Sequence, residues 1–403
     1  MHGERVTEIK DPGPLKNISK VVGAGTAMMM TGICAFFILY TQNKSMAWAA
    51  YLEGFFFVLC LSLFGIFFVA VNHLTKAVWI VPVRRIPEAF ASFLTVAVIL
   101  FIPILCAHEY LYPWAQPDHA HLYGSKASYL SSEFWMVRVV FYMLVWTLFA
   151  RHFIKLSVDQ DFHKQKLVMT LKSAVFLIIF GFSLTLFAFD VLMSLRPHWF
   201  STMYGVYCFA GSTQAGLAMM VLFILYLRKE GHLKGILKDR HLFDAGTWLL
   251  AWCTFMCYIG FSQFMLIWYA NLPEETVFFR DHLFGEWKIL YIAIFFIKWA
   301  IPFFVLMPKP HRVNPKVLVP MCVFLILAEW LDIYWMVAPE TIRAFAPEFG
   351  QGNAFGGHFF LSFLVGLGFL GAFLIVVSKF LRKNSVVAYG EPNLLSSVNG
   401  DYL

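Results

Sequence analysis

Ten long apolar stretches separated by short polar connections organise the chain, at 20–41, 47–73, 87–111, 131–156, 167–194, 200–228, 243–270, 283–307, 315–337 and 357–381. A helix rises ~1.5 Å per residue and a bilayer core is ~30 Å thick, so about twenty such residues cross it. In lipid the backbone must satisfy its own hydrogen bonds, and continuous apolar runs of this length do so as helices. The pattern predicts an all-α polytopic membrane protein of about ten transmembrane helices over 20–382. Residues 1–19 form a polar N-terminal segment. Residues 383–403 form a polar tail without helical period, expected to be disordered or bound to a partner.

Composition agrees: 60% of the 403 residues are hydrophobic and 14% charged, against about 25% charged in soluble domains. The first nineteen residues hold acidic residues and a Pro-Gly-Pro but no apolar run, so a cleaved signal peptide is not expected and the first helix inserts intact. The net charge of +7 matters through its placement. Twenty-two Lys and Arg residues fall in the N-terminal segment, the alternate connections and the tail, whereas the opposite connections hold only Lys44, Lys126, Arg196, Arg280 and Arg343. This asymmetry predicts that both termini are cytoplasmic. The long outer connections 112–130 and 338–356 are aromatic and poor in charge, which suits either packing against an extracytoplasmic subunit or an interfacial aromatic belt. No soluble domain is evident, and no nucleic-acid partner is expected.

The seven cysteines lie in apolar stretches without a CxxC cluster and read as small core hydrophobes rather than ligands of zinc or iron–sulfur clusters. The thirteen histidines fall in connections or near helix ends, which argues against haem held between helices.

Charges inside the spans are costly and therefore informative. Counted from the nearer helix ends, Glu53, Arg138, Asp190, Glu286, Lys288, Glu329 and Asp332 fall in the outer third, and Lys172, Asp244 and Lys298 in the inner third. Between them Ser183, Thr185, Ser212, Thr213, Gln214, Tyr258, Ser262 and Gln263 offer hydroxyls and amides able to order water. Two half-channels for protons are one expectation. The other is structural pairing of Arg138 with Glu53 or Asp190, and of Lys288 with Glu329 or Asp332.

Three segments go further: FDVLMSLRPHWFSTMYGVYCFAGS (189–212), which closes the fifth span with Asp190 and Ser194 one turn apart; FSQFMLIWYANLPEET (261–276), which ends the seventh span with an amide, aromatics and an acidic cap; and VPVRRIPEAF (81–90), with paired Arg. Together they resemble NrfD-like, polysulfide-reductase-type membrane subunits, most closely the smaller NrfD-like subunit of bacterial alternative complex III. The resemblance covers about 20–382. It implies two four-helix bundles, spans two to five and six to nine, with flanking helices and no redox cofactor in the chain itself.

The implied partners are a larger NrfD-like membrane subunit, a periplasmic iron–sulfur subunit and multihaem cytochrome c subunits, embedded in membrane lipid. Menaquinol or ubiquinol would be the reductant, with haem c and iron–sulfur clusters in the partners. On this reading the chain is a non-catalytic subunit of a quinol-oxidising complex. Glu53, Arg138, Asp190 and Ser194 form the outer half of its proton route, Lys172 and Lys298 flank the inner half, and Glu329 and Asp332 are further members.

Alternatives are that the chain itself binds quinol through His108, Tyr110, Trp135 and Asp190, or that it is a structural anchor. A secondary transporter fits poorly, because Pro103, Pro302 and Pro320 lie at unmatched depths rather than in paired interrupted helices.

Overall fold

A computed structural model describes residues 6, 9–116, 123–124, 126–163 and 169–401. Among the described residues ten helices are long and apolar enough to span a membrane: α1 Ser19–Gln42, α2 Lys44–Leu74, α3 Arg85–Cys106, α4 Ser132–His163, α5 Thr170–Leu195, α6 Tyr204–Lys229, α7 Asp239–Ala270, α8 Trp287–Leu306, α9 Pro315–Phe345 and α10 Gly357–Lys383. The protein is thus an all-α, multi-pass membrane protein. The largest changes from expectation are α4 and α9, which run on to His163 and Phe345. His152 therefore lies well within α4 rather than near its end, and half of the expected connection 338–356 is helical. His2, Arg5, His119, His121, Lys164 and Lys166 lie outside the described residues.

Local chemistry sets the breaks. Asn43 leaves the helical region between α1 and α2, and its side chain accepts a hydrogen bond from the Met46 N–H at 3.0 Å, capping α2. At the end of α7, Asn271 takes the left-handed conformation (φ 50°). A separate helix, Pro273–His282, follows. Glu274 and Glu275, expected to close the seventh span, instead occupy the first turn of this helix, where its dipole favours them.

The spans pack in two four-membered rings, α2–α5 and α6–α9, each made in chain order and closed by contact of its first and last helices. α2 also meets α6 and α9, so the rings share it as their common wall. It is the most enclosed helix, with 89% of its apolar window buried against 17% for α1. α1 and α10 run together on α2 and α3. Gly25 and Gly32 of α1 face Gly371 and Gly368 of α10, where backbones touch and no side chain fits. A similar approach joins α2 to α3: a Cβ on Gly65 would stand 2.5 Å from the Pro87 carbonyl oxygen and 2.7 Å from the Ala91 nitrogen. Backbone cannot rotate aside, so Gly65→Ala is expected to lower stability by about 1–3 kcal/mol, read as an earlier thermal transition in detergent.

The end remote from the termini is covered by the Pro273–His282 helix. Arg196, before α6, donates to Asp281 at 2.6 Å and Glu340 at 3.0 Å, and Trp199 stacks on Phe278 at 4.0 Å. Burial raises the Asp281 carboxyl, but the Arg196 guanidinium outweighs it and holds the group below its usual range. Burial pushes His282 down to about 4, so the ring is neutral at physiological pH.

Both termini lie at the opposite end, and there the structure corrects the expectation of a disordered or partner-bound tail. Residues 385–399 dock against the bundle. Val386 donates to the Gly13 carbonyl at 3.2 Å, Gly390 to Asp161 at 3.1 Å, and Val6 and Asn399 exchange two bonds of 3.0 Å. Val386, Val387, Leu394 and Val398 are buried, and Leu394–Asn399 is helical. The polar tail sequence hid this because its few apolar residues are spaced to fit a surface, not to repeat along a helix.

Glu391 fastens the tail, accepting from Arg84 at 2.9 Å and from Gln160 at 3.0 Å. Burial alone would raise its carboxyl, but Arg84 and these bonds hold it below the usual carboxylate range. A lowered carboxyl stabilises the docked form above its undocked value and loses that effect as pH falls through the docked one. Protection of the amides at 386–399, taken relative to their intrinsic exchange rate at each pH, is therefore expected to fall as pH is lowered past the ordinary Glu range, and Glu391→Gln should remove that loss.

Candidate functional site: a buried ion cluster in the second helix ring

Pro302 lies four residues after Lys298 and has no N–H to give the Lys298 carbonyl. The backbone answers with a π-turn over Phe296–Ala300, in which the Ile301 N–H reaches back to the Phe296 carbonyl. The freed Lys298 carbonyl is taken by Gln214 of α6, whose Nε2 donates at 2.6 Å. This widened turn lies near the middle of α8 and carries the Lys298 side chain inward.

On α9, Glu329 and Asp332 are three residues apart and share one face. Lys298 Nζ donates to Glu329 Oε2 at 2.7 Å and to Asp332 Oδ2 at 2.6 Å, and Tyr207 of α6 donates its hydroxyl to Asp332 Oδ1 at 2.7 Å. All three charged groups are buried, at 2–3% exposure. Gly211 makes the approach of α6 possible, since a Cβ there would stand 2.8 Å from Glu329 Oε2. One ammonium faces two carboxylates, so the cluster carries one more negative than positive charge when all are ionised, and can hold an added proton. Beside it, Tyr207, Cys257, Gly260, Tyr291, Lys298 and Trp299 line part of an apolar cleft of about 250 Å³ between α7 and α8.

This arrangement corrects the depth assignment. Lys298, counted to the inner third, meets Glu329 and Asp332, counted to the outer third, so the charged layers are not separated by a neutral gap. The partner expected for the two acids was Lys288; Lys298 takes that place. Of the polar residues expected between the layers, Gln214 reaches the cluster. Ser212 and Thr213 bond to the Phe209 carbonyl of their own helix, Ser183 accepts from Trp146, and Tyr258 is exposed. Lys172, expected with Lys298 to flank the inner half, lies on the other ring: it is exposed on α5, where Nζ lies 3.0 Å from His152 Nε2.

In the first ring an ion pair joins the corresponding helices, α4 and α5. Arg138 grips Asp190 with two bonds, 3.0 and 2.8 Å, and gives a third to the Tyr129 carbonyl at 2.9 Å while lying 3.7 Å over the Tyr129 ring. Of the two partners weighed for Arg138, Asp190 is the one observed. The Ser194 hydroxyl donates to the Asp190 backbone carbonyl, not the carboxylate, and braces the end of the helix. Trp135 donates to the same carbonyl at 2.7 Å.

His108 is buried against Trp135, and its ring nitrogens lie 2.9 Å from the Leu105 carbonyl oxygen and 3.0 Å from the Ser132 hydroxyl. Tyr110 is 40% exposed, with Lys44 over its ring. Thus His108, Trp135 and Asp190 are contiguous, and Tyr110 lies to the side.

Glu53 joins neither set. It is wholly buried on α2, and neither of its carboxylate oxygens has a hydrogen-bond partner in the structure. The polar group beside it is the Ser362 hydroxyl of α10. A third polar cluster lies at the terminal end, where Arg85 pairs with Glu88 at 2.6 Å and with Asp161, and donates to the Ser157 carbonyl at 2.9 Å.

Cys60, Cys208, Cys253 and Cys322 are buried as expected, but Cys34 and Cys106 are exposed on outward helix faces. Among the described residues no group of three His, Cys, Asp or Glu side chains is placed to hold a metal ion.

Sequence reading singled out Gln214 but missed Tyr207 and the pairing of Lys298. The available signal was the Lys-x-x-x-Pro spacing, which leaves a carbonyl free beside a charge. The fold and the site together define a multi-pass helical membrane protein with a compensated ion cluster inside its second helix ring. Compared with known proteins, the chain matches no family model and no curated sequence.

Proposed function

We propose that this chain is an NrfD-like membrane subunit of a quinol-oxidising respiratory complex of the alternative complex III kind, and that its own part is to move protons. The observation that carries this reading is the Lys298–Glu329–Asp332 cluster, buried at mid-span with a tyrosine hydroxyl on one carboxylate. Charges at such depth are retained where they act on ions or protons. Two four-helix rings with a flanking pair agree with the layout expected of that family. The termini, Arg84, Arg85 and the docked tail would face the cytoplasm, and the end covered by Pro273–His282 would meet the periplasmic iron–sulfur and cytochrome subunits. Electrons travel in those partners, while the larger NrfD-like subunit packs alongside.

The chemistry asked of the chain is modest. Each quinol oxidised to quinone gives up two electrons and two protons. A proton arriving at the cluster neutralises its excess carboxylate, and the Tyr207 hydroxyl on Asp332 and the Lys298 ammonium offer hydrogen-bonded routes on and off. Asp190, with both carboxylate oxygens held by Arg138, acts as a staple between α4 and α5.

The test is the intact complex in proteoliposomes. Asp332→Asn is expected to cut proton translocation per quinol while quinol-to-acceptor electron transfer persists, and Asp190→Asn to lower thermal stability without changing proton yield. Unchanged proton translocation in Asp332→Asn would reject the reading.

A further inference from the structure

Buried polar atoms almost always find partners, and a group of them without any marks the place of ordered water. Such a group surrounds Glu53. Both of its oxygens, the Ser362 hydroxyl, the Trp330 indole nitrogen and His358 Nε2 are buried and have no hydrogen-bond partner. Glu53, Trp330, His358 and Ser362 are all 3% exposed or less.

They belong to three different helices, yet line one face of α10. His358, Ser362 and Gly366 succeed one another at four-residue spacing on α10 and so share a face. A Cβ on Gly366 would stand 2.5 Å from Trp330 Nε1, which puts the α9 indole nitrogen on that face. Glu53 comes to the same face from α2, beside Ser362, and Gly54 next to it abuts Gly366. Tyr334 stacks on Trp330 at 5.5 Å and lies along the His358 ring at 6.5 Å, closing the side toward the far end.

The chemistry of the set is selective. A carboxyl acceptor stands beside the Ser362 hydroxyl, with an indole N–H and an imidazole on the same face of α10, and none of these polar atoms has a well-formed hydrogen bond to the protein. With one carboxyl and one imidazole, the set falls short of the three His, Cys, Asp or Glu side chains that would hold a metal ion. Buried polar groups that lack protein partners suit bridging water.

We propose that Glu53, Trp330, His358 and Ser362 enclose a buried water cluster that keeps the Glu53 carboxyl in proton exchange with the far end of the molecule. Trp330 Nε1 and Ser362 Oγ donate to the waters, and Glu53 accepts from them. A proton leaving the Glu53 carboxyl passes along the waters to His358 Nε2 at the outer end of α10. Only O–H and N–H bonds are made and broken. The route rests on the proton-moving function proposed above, whereas the hydration of the site stands without it.

Hydroxyl-radical footprinting by X-ray radiolysis of the full chain in its native assembly tests the water directly, because radicals form where water is bound. Trp287 and Trp135 are internal controls, equally buried but bonded directly to carbonyls. Trp330 is expected to be oxidised many-fold faster than either, and Glu53→Leu with Ser362→Ala to bring it down to their rate. Trp330 as unreactive as Trp287 in the unaltered protein overturns the proposal, whatever the variants do. Infrared difference spectra in D₂O test the proton: a carboxyl band that shifts on exchange, and that Glu53→Gln removes, is expected, with slower exchange in His358→Phe. No such band, or exchange indifferent to His358→Phe, overturns the proton route. Neither measurement involves quinol turnover. A dry, non-exchanging site with intact proton translocation would sink this inference alone, and a wet site in a complex that moves no protons would sink only the function.

Discussion

Replacing Lys298 with Met is expected to destabilise the protein by about 3–5 kcal/mol, as is typical when one partner of a buried ion pair is removed. Met nearly matches the length of Lys but supplies neither charge nor hydrogen bonds. Glu329 and Asp332 would then face each other inside the bundle with only the Tyr207 hydroxyl as a donor on Asp332. The variant's thermal transition in detergent should fall steeply. Neutralising the acids as well, in Lys298→Met/Glu329→Gln/Asp332→Asn, should recover much of the loss, because removing a whole ion cluster costs far less than breaking it. A single variant as stable as the starting protein would show that the cluster does not hold α8 to α9.

Arg85→Met should have a comparable effect at the other end, about 3–5 kcal/mol, with an added signature. Arg85 is fully buried and compensates Glu88 and Asp161. Asp161 in turn holds the Gly390 N–H of the tail. Its loss should therefore both lower the thermal transition and quicken hydrogen exchange at 386–399. Arg84→Met should act more gently: it loses the pairs with Glu391 at 2.9 Å and Glu88 at 3.3 Å, but Glu88 keeps Arg85 as a partner.

The helix layout was legible because crossing lipid imposes a length and a composition that neighbours cannot override. The terminal arrangement was legible in part: an even number of spans requires the ends to meet on one side, but nothing in the tail's composition announced its docking. Within the spans, residue type was legible and pairing was not. Lys288 and Lys298 both precede the two acids on the next helix, and one-dimensional counting favoured the nearer depth. The choice was made by the π-turn and by Tyr207 and Gly211 arriving from a helix more than a hundred residues away. Glu53 shows the same limit: Arg138 was a reasonable partner by depth, yet α2 turns Glu53 toward α10 rather than α4.

The unfinished backbone of α8 also bears on how the chain is made. On its own in lipid, this segment would present a full positive charge and a carbonyl with no donor, both expensive in hydrocarbon. Glu329 and Asp332 supply the first remedy, and they arrive only with α9, after the short link through Lys309–Val313. Gln214 supplies the second, and it has been synthesised already. The eighth and ninth segments would thus be released from the translocation machinery as a hairpin rather than singly, against a sixth helix already waiting in the bilayer, which makes Lys298 a checkpoint of assembly as well as a member of the mature site.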